Sequence, residues 1–579
     1  MLRDCPTLAK IIARLDSYLQ GSFPDFFGEE PKHPFLRVRP YKVIHDSLWG
    51  TNRFSWRELA VIDSPLFQRL RGIHQTGLAY YVYPCAQHSR LEHSLGVVTV
   101  AAKAFDALLQ RHLPDFQTIC RFFNEPNLEE LLARLREELR MAALLHDVGH
   151  SIHSHASEQV YQELPLLQNA VVELHRLTGK KKGAGEVISF CFSRTKALQN
   201  LLTSAEKRVP EDEKRKAKDI VWDNVSLLIV GRSVHPYLQF MGDIISSDLD
   251  ADKLDYLLRD ASAAGLPLRY DLERYLYTVG LARDVLPDGE GHLEKMYQAV
   301  TKSAPARIEA TATVAFPHYE TYRLRLPRNA INTIEQIVIC KFMLFSYIYH
   351  HRKVRAAEGM LGSLLQRVVA NWRSSGKGDE EILEEFLKLD DCALGQPHFA
   401  SSEDPIVSMY SVRINQRLLP REVFGFVASK FSHAEGGLLS DFISVLLDKK
   451  PRARQDRREA LVKQFHEVMG TELMRMKPEL GSSWEQALRS AGAWLDAPKP
   501  PKFENINLIL GSLTDAVPLS DVFPIRYWIQ AYESHRYTAR IFAFSEYVDD
   551  VRAAARTACE KVIGATTGSF FETAGRKRV

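Results

Sequence analysis

A chain of 579 residues is too long for one simple core and calls for two to four structural units. Hydrophobic content of 45% and charged content of 25% are ordinary globular values, which excludes disordered and fibrous classes. Net charge is only +3, from 75 basic and 72 acidic residues, so nucleic acid is not indicated as a partner. Seven scattered cysteines without a CxxC pair argue against a disulfide framework or a thiolate zinc site.

The chain opens on MLRDCPTLAKIIARLDSYL, a charged amphipathic segment unlike a signal peptide. No uninterrupted apolar run reaches about 20 residues, so no membrane span is expected and the cytoplasm is the expected location. Residues 91–109 place Leu91, Leu95, Val98, Ala102, Phe105 and Leu109 on one helical stripe. Residues 129–148 repeat the pattern through Leu135, Leu139 and Ala142, and the stripe continues into His146. A further helix is expected over 250–262, behind a Ser-Ser-Asp cluster, and a long, buried one over 331–360. Residues 205–219 and 450–458 are charged and read as solvated loops. Prolines near residue 500 mark a boundary; beyond it 537–544 alternates as a strand and 546–563 as an amphipathic helix. The expected fold is mainly α, with a smaller C-terminal α/β or α+β region. The expected division is 1–40, an N-terminal helical segment; 41–361, the core; 362–499, a helical extension; and 500–579, a small α/β region.

The segment LLHDVGHSIHSH, residues 144–155, carries the densest chemistry. Adjacent His146 and Asp147 can offer one nitrogen and one oxygen to a single divalent ion, and a helix would set His150 one turn on from His146. Gly149 would let another backbone approach closely. A lone histidine on an apolar stripe is more often a hydrogen-bonded core residue, but four histidines and an aspartate within ten residues weigh against that. His93 lies in QHSRLEHSLG with Arg90 one turn before it. Asp252 lies in DLDADKLDYLLRD with Lys253, Tyr256, Arg259 and Asp260 nearby.

The ordered series H…HD…D, with IDSPLFQRLRGIHQTGLAYYVYP at 62–84 and YHHRKVRAAEGML at 349–361, resembles the HD superfamily of metal-dependent phosphohydrolases, and within it the dNTP triphosphohydrolase branch. The resemblance covers about residues 41–361 and implies a helical HD core. It implies His93, His146, Asp147 and Asp252 as ligands of a divalent metal (Mn, Fe, Mg or Zn), with His155 as proton donor and His150 close to the scissile phosphate. Arg90 and Lys253 match phosphate-binding positions, Tyr256 and Asp260 sugar-packing ones, and Gln75 one near the 3′ side. Lys341 stands where the branch often has an arginine. Lys42, Val43, Asp63, Gln68, Arg71 and Arg274 match a nucleotide-sensing site between subunits, which implies an activating nucleotide and a homo-oligomer, dimer or tetramer. One departure is plain: in GKKKGAGEVISF, residues 179–190, Lys181 or Lys182 takes the place of the family's histidine. The activity implied is release of deoxynucleoside and inorganic triphosphate from dNTPs, and by analogy alone this would suit defence against phage. The alternatives are an HD phosphodiesterase or nuclease, and a nucleotide-sensing partner protein with a slow HD site.

Overall fold

In the computed structural model the described residues are 2, 4–28, 41–210, 219–285, 320–426, 453–498, 507–509, 516–525, 527–528 and 539–563. Residues 29–40, part of the charged stretch 205–219 (211–218), residues 450–452 of the basic stretch 450–458, and the proline-rich segment around 500 lie outside them wholly or in part; residues 453–458, expected as a loop, instead open the helix Ala453–Met476.

The helix Arg90–Arg111 starts where its sequence says it should. Ser89 accepts from the Glu92 N–H while Glu92 accepts from the Ser89 N–H, a reciprocal capping box that satisfies two otherwise orphaned donors. Leu91, Leu95, Val98, Ala102 and Phe105 are buried as the stripe requires, and so are Val97, Val100, Ala101 and Ala104. This is a central helix and not a one-sided amphipathic one. Phe105 packs edge-on against Phe116 and stacks on Phe240; truncating such a ring costs about 3–5 kcal/mol.

The helix Leu128–Leu145 buries Leu131, Leu135, Leu139 and Ala142. Its Glu138 is buried too, satisfied by Asn224 Nδ2 at 2.6 Å and the Val221 N–H at 2.9 Å. The helix stops at Leu145, three residues short of the expected end, so His146 and Asp147 sit at its C-terminus and His150 lies in the loop beyond. The stop is local: Val148 N–H bonds Leu145 O and His150 N–H bonds Asp147 O in successive tight turns. A Cβ on Gly149 would lie 2.1 Å from Gly185 O, so only glycine lets the helix Ala184–Ser193 approach this loop.

The cap of the helix Ala251–Ala263 is not the Ser246-Ser247-Asp248 cluster but Asp250, two residues on, which accepts from Lys253 N–H and puts Asp252 in the first turn. The segment expected as one helix over 331–360 is two, Ile331–Leu344 and Arg352–Ser374, separated by a π-helical turn at Phe345–Tyr349. One stretch, Arg328–Tyr349, interrupted by Glu335 and Lys341, is long and apolar enough by length and composition to cross a membrane. Ile334, Ile337, Val338 and Leu344 on it are buried inside the protein.

The chain forms two units. The first comprises Met1–Cys340, Trp372–Cys392 and Phe503–Leu519; the second comprises Lys341–Asn371, Ala393–Lys502 and Ser520–Val579. The first is mainly helical, with antiparallel pairs Tyr41–Asp46 with Gly50–Ser55 and Gly280–Val285 with Glu320–Arg325. The second holds a three-stranded antiparallel sheet in which Ala539–Ala543 lies between Arg421–Phe426 and Trp494–Asp496. Phe426, Phe465, Met469, Ile541 and Val551 form its core with the helices Ala453–Met476 and Val548–Ala558.

His235 in the first unit illustrates a cost of this packing. Phe122, Phe123 and Tyr237 surround it, and its Nδ1 accepts the Tyr237 N–H. Burial pushes its pKa down to about 3. The unfolded chain therefore takes up a proton near the ordinary histidine pKa while the folded one does not. Stability from this group is complete above about pH 6.5 and is lost as pH falls toward 3, at up to about 1.4 kcal/mol per pH unit. Denaturant melts at pH 7 and pH 5 should show this loss, and His235→Phe should flatten it by one proton.

Candidate metal centre

Four ionisable side chains from three segments meet in the first unit. His93 comes from the helix Arg90–Arg111, His146 and Asp147 from the end of Leu128–Leu145, and Asp252 from the first turn of Ala251–Ala263. His93 Nε2 lies 3.1 Å from Asp252 Oδ1 and 3.7 Å from Asp147 Oδ2. His146 Nε2 lies 3.5 Å from Asp147 Oδ1 and 4.0 Å from Asp252 Oδ1. Donor atoms of His93, His146 and Asp252 all fall within 4.8 Å of one another.

The fit of a divalent ion can be tested on the nitrogens. Both Nε2 atoms are buried without a hydrogen-bond partner, although each has carboxylate oxygens beside it. Both Nδ1 atoms are engaged, His146 with Ala143 O at 2.7 Å and His93 with Asp255 Oδ2 at 2.8 Å. Engagement of one ring nitrogen fixes the tautomer and aims the other's lone pair inward, as histidine ligands of metals are commonly held. The residues fit a divalent ion bound by mixed imidazole and carboxylate groups. Burial opposes charge on His93, but the facing carboxylates of Asp252 and Asp255 outweigh it and raise its pKa to about 10. Asp147 is held well below the carboxylate range: burial opposes this, and Arg90, His146 and His150 overcome it.

Sequence reasoning missed the support behind His93. Asp255 accepts from His93, from Arg259 Nε at 2.8 Å and from Trp49 Nε1 at 2.5 Å. Arg259 also reaches Asp46 at 2.9 Å, so the turn between strands Tyr41–Asp46 and Gly50–Ser55 braces a metal ligand. The i, i+3 spacing of Asp252 and Asp255 on one helix was the available signal.

Arg90 is almost wholly buried. Its NH1 pairs with Asp147, its Nε donates to Ser154 Oγ at 2.8 Å, and its NH2 has no partner. His150 Nε2 lies 3.3 Å from Asp147 Oδ1; burial and Arg90 lower its pKa. His155 stands beside it with ring centroids 5.2 Å apart, exposed, its Nδ1 3.0 Å from Glu158 Oε2. Glu158, which the sequence reading did not single out, also accepts the Gly185 N–H at 2.9 Å. Lys182 is engaged elsewhere, donating to Ser246 Oγ, and His175 is exposed on the helix Pro165–Thr178.

Lys253 donates to Ser247 O and Asp250 Oδ2; burial opposes its charge, but Asp250 and Asp252 outweigh it and raise its pKa. Tyr256, one turn after Asp252, is half-buried, and burial keeps its phenol protonated. Asp260 pairs with His88 at 2.8 Å, and Gln75 bonds His88 O through its backbone N–H while its buried Oε1 is unpartnered. Lys341 is the first residue of the second unit. Lys42 and Val43 are exposed on the first strand, and Asp63 is exposed at the end of the helix Trp56–Ile62. Gln68 and Arg71 bond each other at 2.7 Å, and Arg274 is exposed on the helix Leu272–Thr278. Among the described residues no hydrogen bond or ion pair joins that pair to Lys42, Val43, Asp63 or Arg274.

Residues 90–190 match the family model described as HD domain, which spans His93, His146 and Asp147. The chain carries an HD domain. The chain around it is similar to the dNTP triphosphohydrolase branch of the HD superfamily. An uncharacterised protein of Methanocaldococcus jannaschii is 24% identical over 515 residues, 88% of this chain and 81% of that protein. The deoxynucleoside triphosphate triphosphohydrolase SAMHD1 of Homo sapiens is 28% identical over 250 residues, and its homologue in Dictyostelium discoideum 30% over 238. These alignments cover 42% and 41% of this chain but only 36% and 39% of those relatives. In fold, a hypothetical protein from Aquifex aeolicus superposes with a TM-score of 0.50 at 18% identity, over 89% of this chain and 99% of that one.

Replacing Asp255 by Asn leaves shape intact but weakens the acceptor that orients His93. Metal affinity of the HD centre should fall about 10–100-fold, read by titration calorimetry, and Trp49→Phe should fall in the same direction by less. Unchanged affinity in Asp255→Asn would remove Asp255 from the centre.

Proposed function

We propose that the HD centre hydrolyses deoxynucleoside triphosphates to deoxynucleoside and inorganic triphosphate. The observation that carries this reading is the paired Nε2 lone pairs of His93 and His146, converging with Asp147 and Asp252 beside the unpartnered NH2 of Arg90. A divalent ion bound there would polarise a phosphoryl oxygen and lower the pKa of a neighbouring water. Arg90 NH2 and the Lys253 ammonium offer donors to phosphate oxygens. Asp252, about a third exposed, leaves one side of the centre open to substrate.

Water attacks the α-phosphorus, the bond from that phosphorus to the 5′ oxygen breaks, and the leaving oxygen takes a proton. His155, held by Glu158, stands exposed next to His150 and supplies that proton. Desolvation opposes charge on His155, but the hydrogen bond to Glu158 outweighs it and raises the His155 pKa. With Lys182 tied to Ser246, His155 and Glu158 take over the work that the family gives to its histidine after the HD helix. The names of the mammalian and Dictyostelium relatives support deoxynucleoside triphosphates as substrate. Tyr256 and Asp260 would pack on the sugar, and Gln75 would meet its 3′ side.

Chromatography of the products decides the reaction. Each dNTP incubated with Mn²⁺ should yield nucleoside and triphosphate; pyrophosphate as main product would overturn the reading. His146→Ala with Asp147→Ala should abolish both the bound ion and turnover.

A second nucleotide is proposed as activator, bound near Lys42, Val43, Asp63, Gln68, Arg71 and Arg274 in a dimer or tetramer. The observation favouring it is the hairpin: Lys42 and Val43 lie on the strand that ends in Asp46, which holds Arg259 and through it Asp255 and His93. Ordering that strand would steady a metal ligand, and a coupling of about 1–3 kcal/mol would change affinity about 5–150-fold. Asp63→Ala should remove activation by dNTP mixtures while leaving metal content intact. Full-speed hydrolysis of every single dNTP, or normal activation of the variant, would refute regulation.

A further inference from the structure

A second group of metal-type ligands converges outside the HD centre, and the proposed hydrolysis does not use it. His74 comes from the connection between the short helices Arg69–Gly72 and Gly77–Tyr81, bridged to Ser89, His153 from the loop after the HD pair, and Asp391 from the short Asp391–Gly395 helix. One donor atom from each falls within 4.8 Å of the other two. Asp391 Oδ2 lies 2.5 Å from His74 Nδ1 and 3.2 Å from His153 Nδ1. The side chains of His153 and Asp391 are 1% and 4% exposed, while that of His74, at 26%, opens toward solvent.

We infer that His74, His153 and Asp391 form a second metal site for a divalent ion of the zinc class. The donor set is of the right kind, two imidazoles and one carboxylate, with a fourth position left for water. The decisive side chain is His153. Both of its ring nitrogens are buried and neither makes a hydrogen bond, although Nδ1 is 3.2 Å from a carboxylate oxygen. A hydrogen-bonded hub would align that pair; an ion between them needs only proximity. Zinc at about 2.0–2.2 Å from each tetrahedral ligand holds neighbouring donors roughly 3.3 Å apart. The His153–Asp391 pair already has that spacing. The closer His74–Asp391 pair is a hydrogen bond in the ion-free protein, and a small turn of the partly exposed His74 ring opens it.

The backbone adds a second, independent sign. His153 and Ser154 sit at φ +47° and +57°, left-handed conformations that cost on the order of 1–3 kcal/mol each in residues other than glycine. Asp391 holds the strained turn from outside: Oδ1 accepts the His153 N–H at 2.6 Å and Oδ2 the His74 N–H at 2.8 Å. An ion on the same carboxylate would lock the turn through its side chains as well. What the turn delivers is Ser154, whose Oγ donates to His74 O at 2.6 Å and accepts from Arg90 Nε. The second ion would thus brace the arginine that pairs with Asp147 in the HD centre, without touching substrate.

Metal counting on the full chain separates the two sites. Protein loaded with Zn²⁺ and desalted should hold two ions per chain. A variant with His146→Ala and Asp252→Asn should keep one, and adding His74→Gln to it should release that one while circular dichroism shows an intact helical fold. Asp391→Asn provides an independent second variant with the same expected loss. Wild type holding a single ion that His146→Ala with Asp252→Asn removes would overturn the inference and leave the HD centre standing. An ion that survives both His74→Gln and Asp391→Asn would overturn it too. Wild type holding no ion would defeat both sites together.

Discussion

A histidine with no exposed surface, His93, is held between carboxylates, and the first unit is arranged around that fact. Burying an imidazole whose two nitrogens both face acids is tolerable only if each acid is itself compensated. Asp255 is compensated by Arg259 and Trp49, Arg259 in turn by Asp46, and Asp147 by Arg90. The network spans the first hairpin, the central helix, the HD turn and the helix Ala251–Ala263. Removing any one partner leaves a buried charge behind, so these elements are bound to one another by electrostatic necessity as much as by apolar contact.

The same network explains how a buried centre can leave ligand atoms free to converge. Pairing with Asp255 and with the Ala143 carbonyl occupies one nitrogen of each histidine and leaves the other pair aimed at a common point. Arg90 spends two of its donor nitrogens on protein and keeps one. His155, exposed, and Glu158, buried, are paired next to His150, beside the metal-type residues.

Much of this was legible in the linear sequence. The capping box at Ser89 and Glu92, the apolar stripe from Leu91 to Phe105 and the HD pair are local patterns, and local patterns are written in consecutive residues. The ordered series of histidines and aspartates pointed to the HD family because a metal constrains residue type directly. The stop of the helix at Leu145 was not legible. It depends on Gly149 meeting Gly185, a contact between segments that sequence spacing does not express. The split of 331–360 into two helices was hidden for a related reason, since its apolar residues run through the π-helical turn without a proline or glycine to mark it.

What the sequence by itself determined was chemistry at short range: helix starts, apolar faces and the inventory of ligands. What only the tertiary structure decided was partnership. That Trp49 serves Asp255, that Glu158 accepts from Gly185, and that Asp391 meets His74 and His153 all join residues far apart in the chain. The two units, each drawn from interleaved segments, belong to the same class of fact. The physical reason is that a hydrogen bond or ion pair depends on distance in space, and separation along the chain carries no record of it once the backbone has turned.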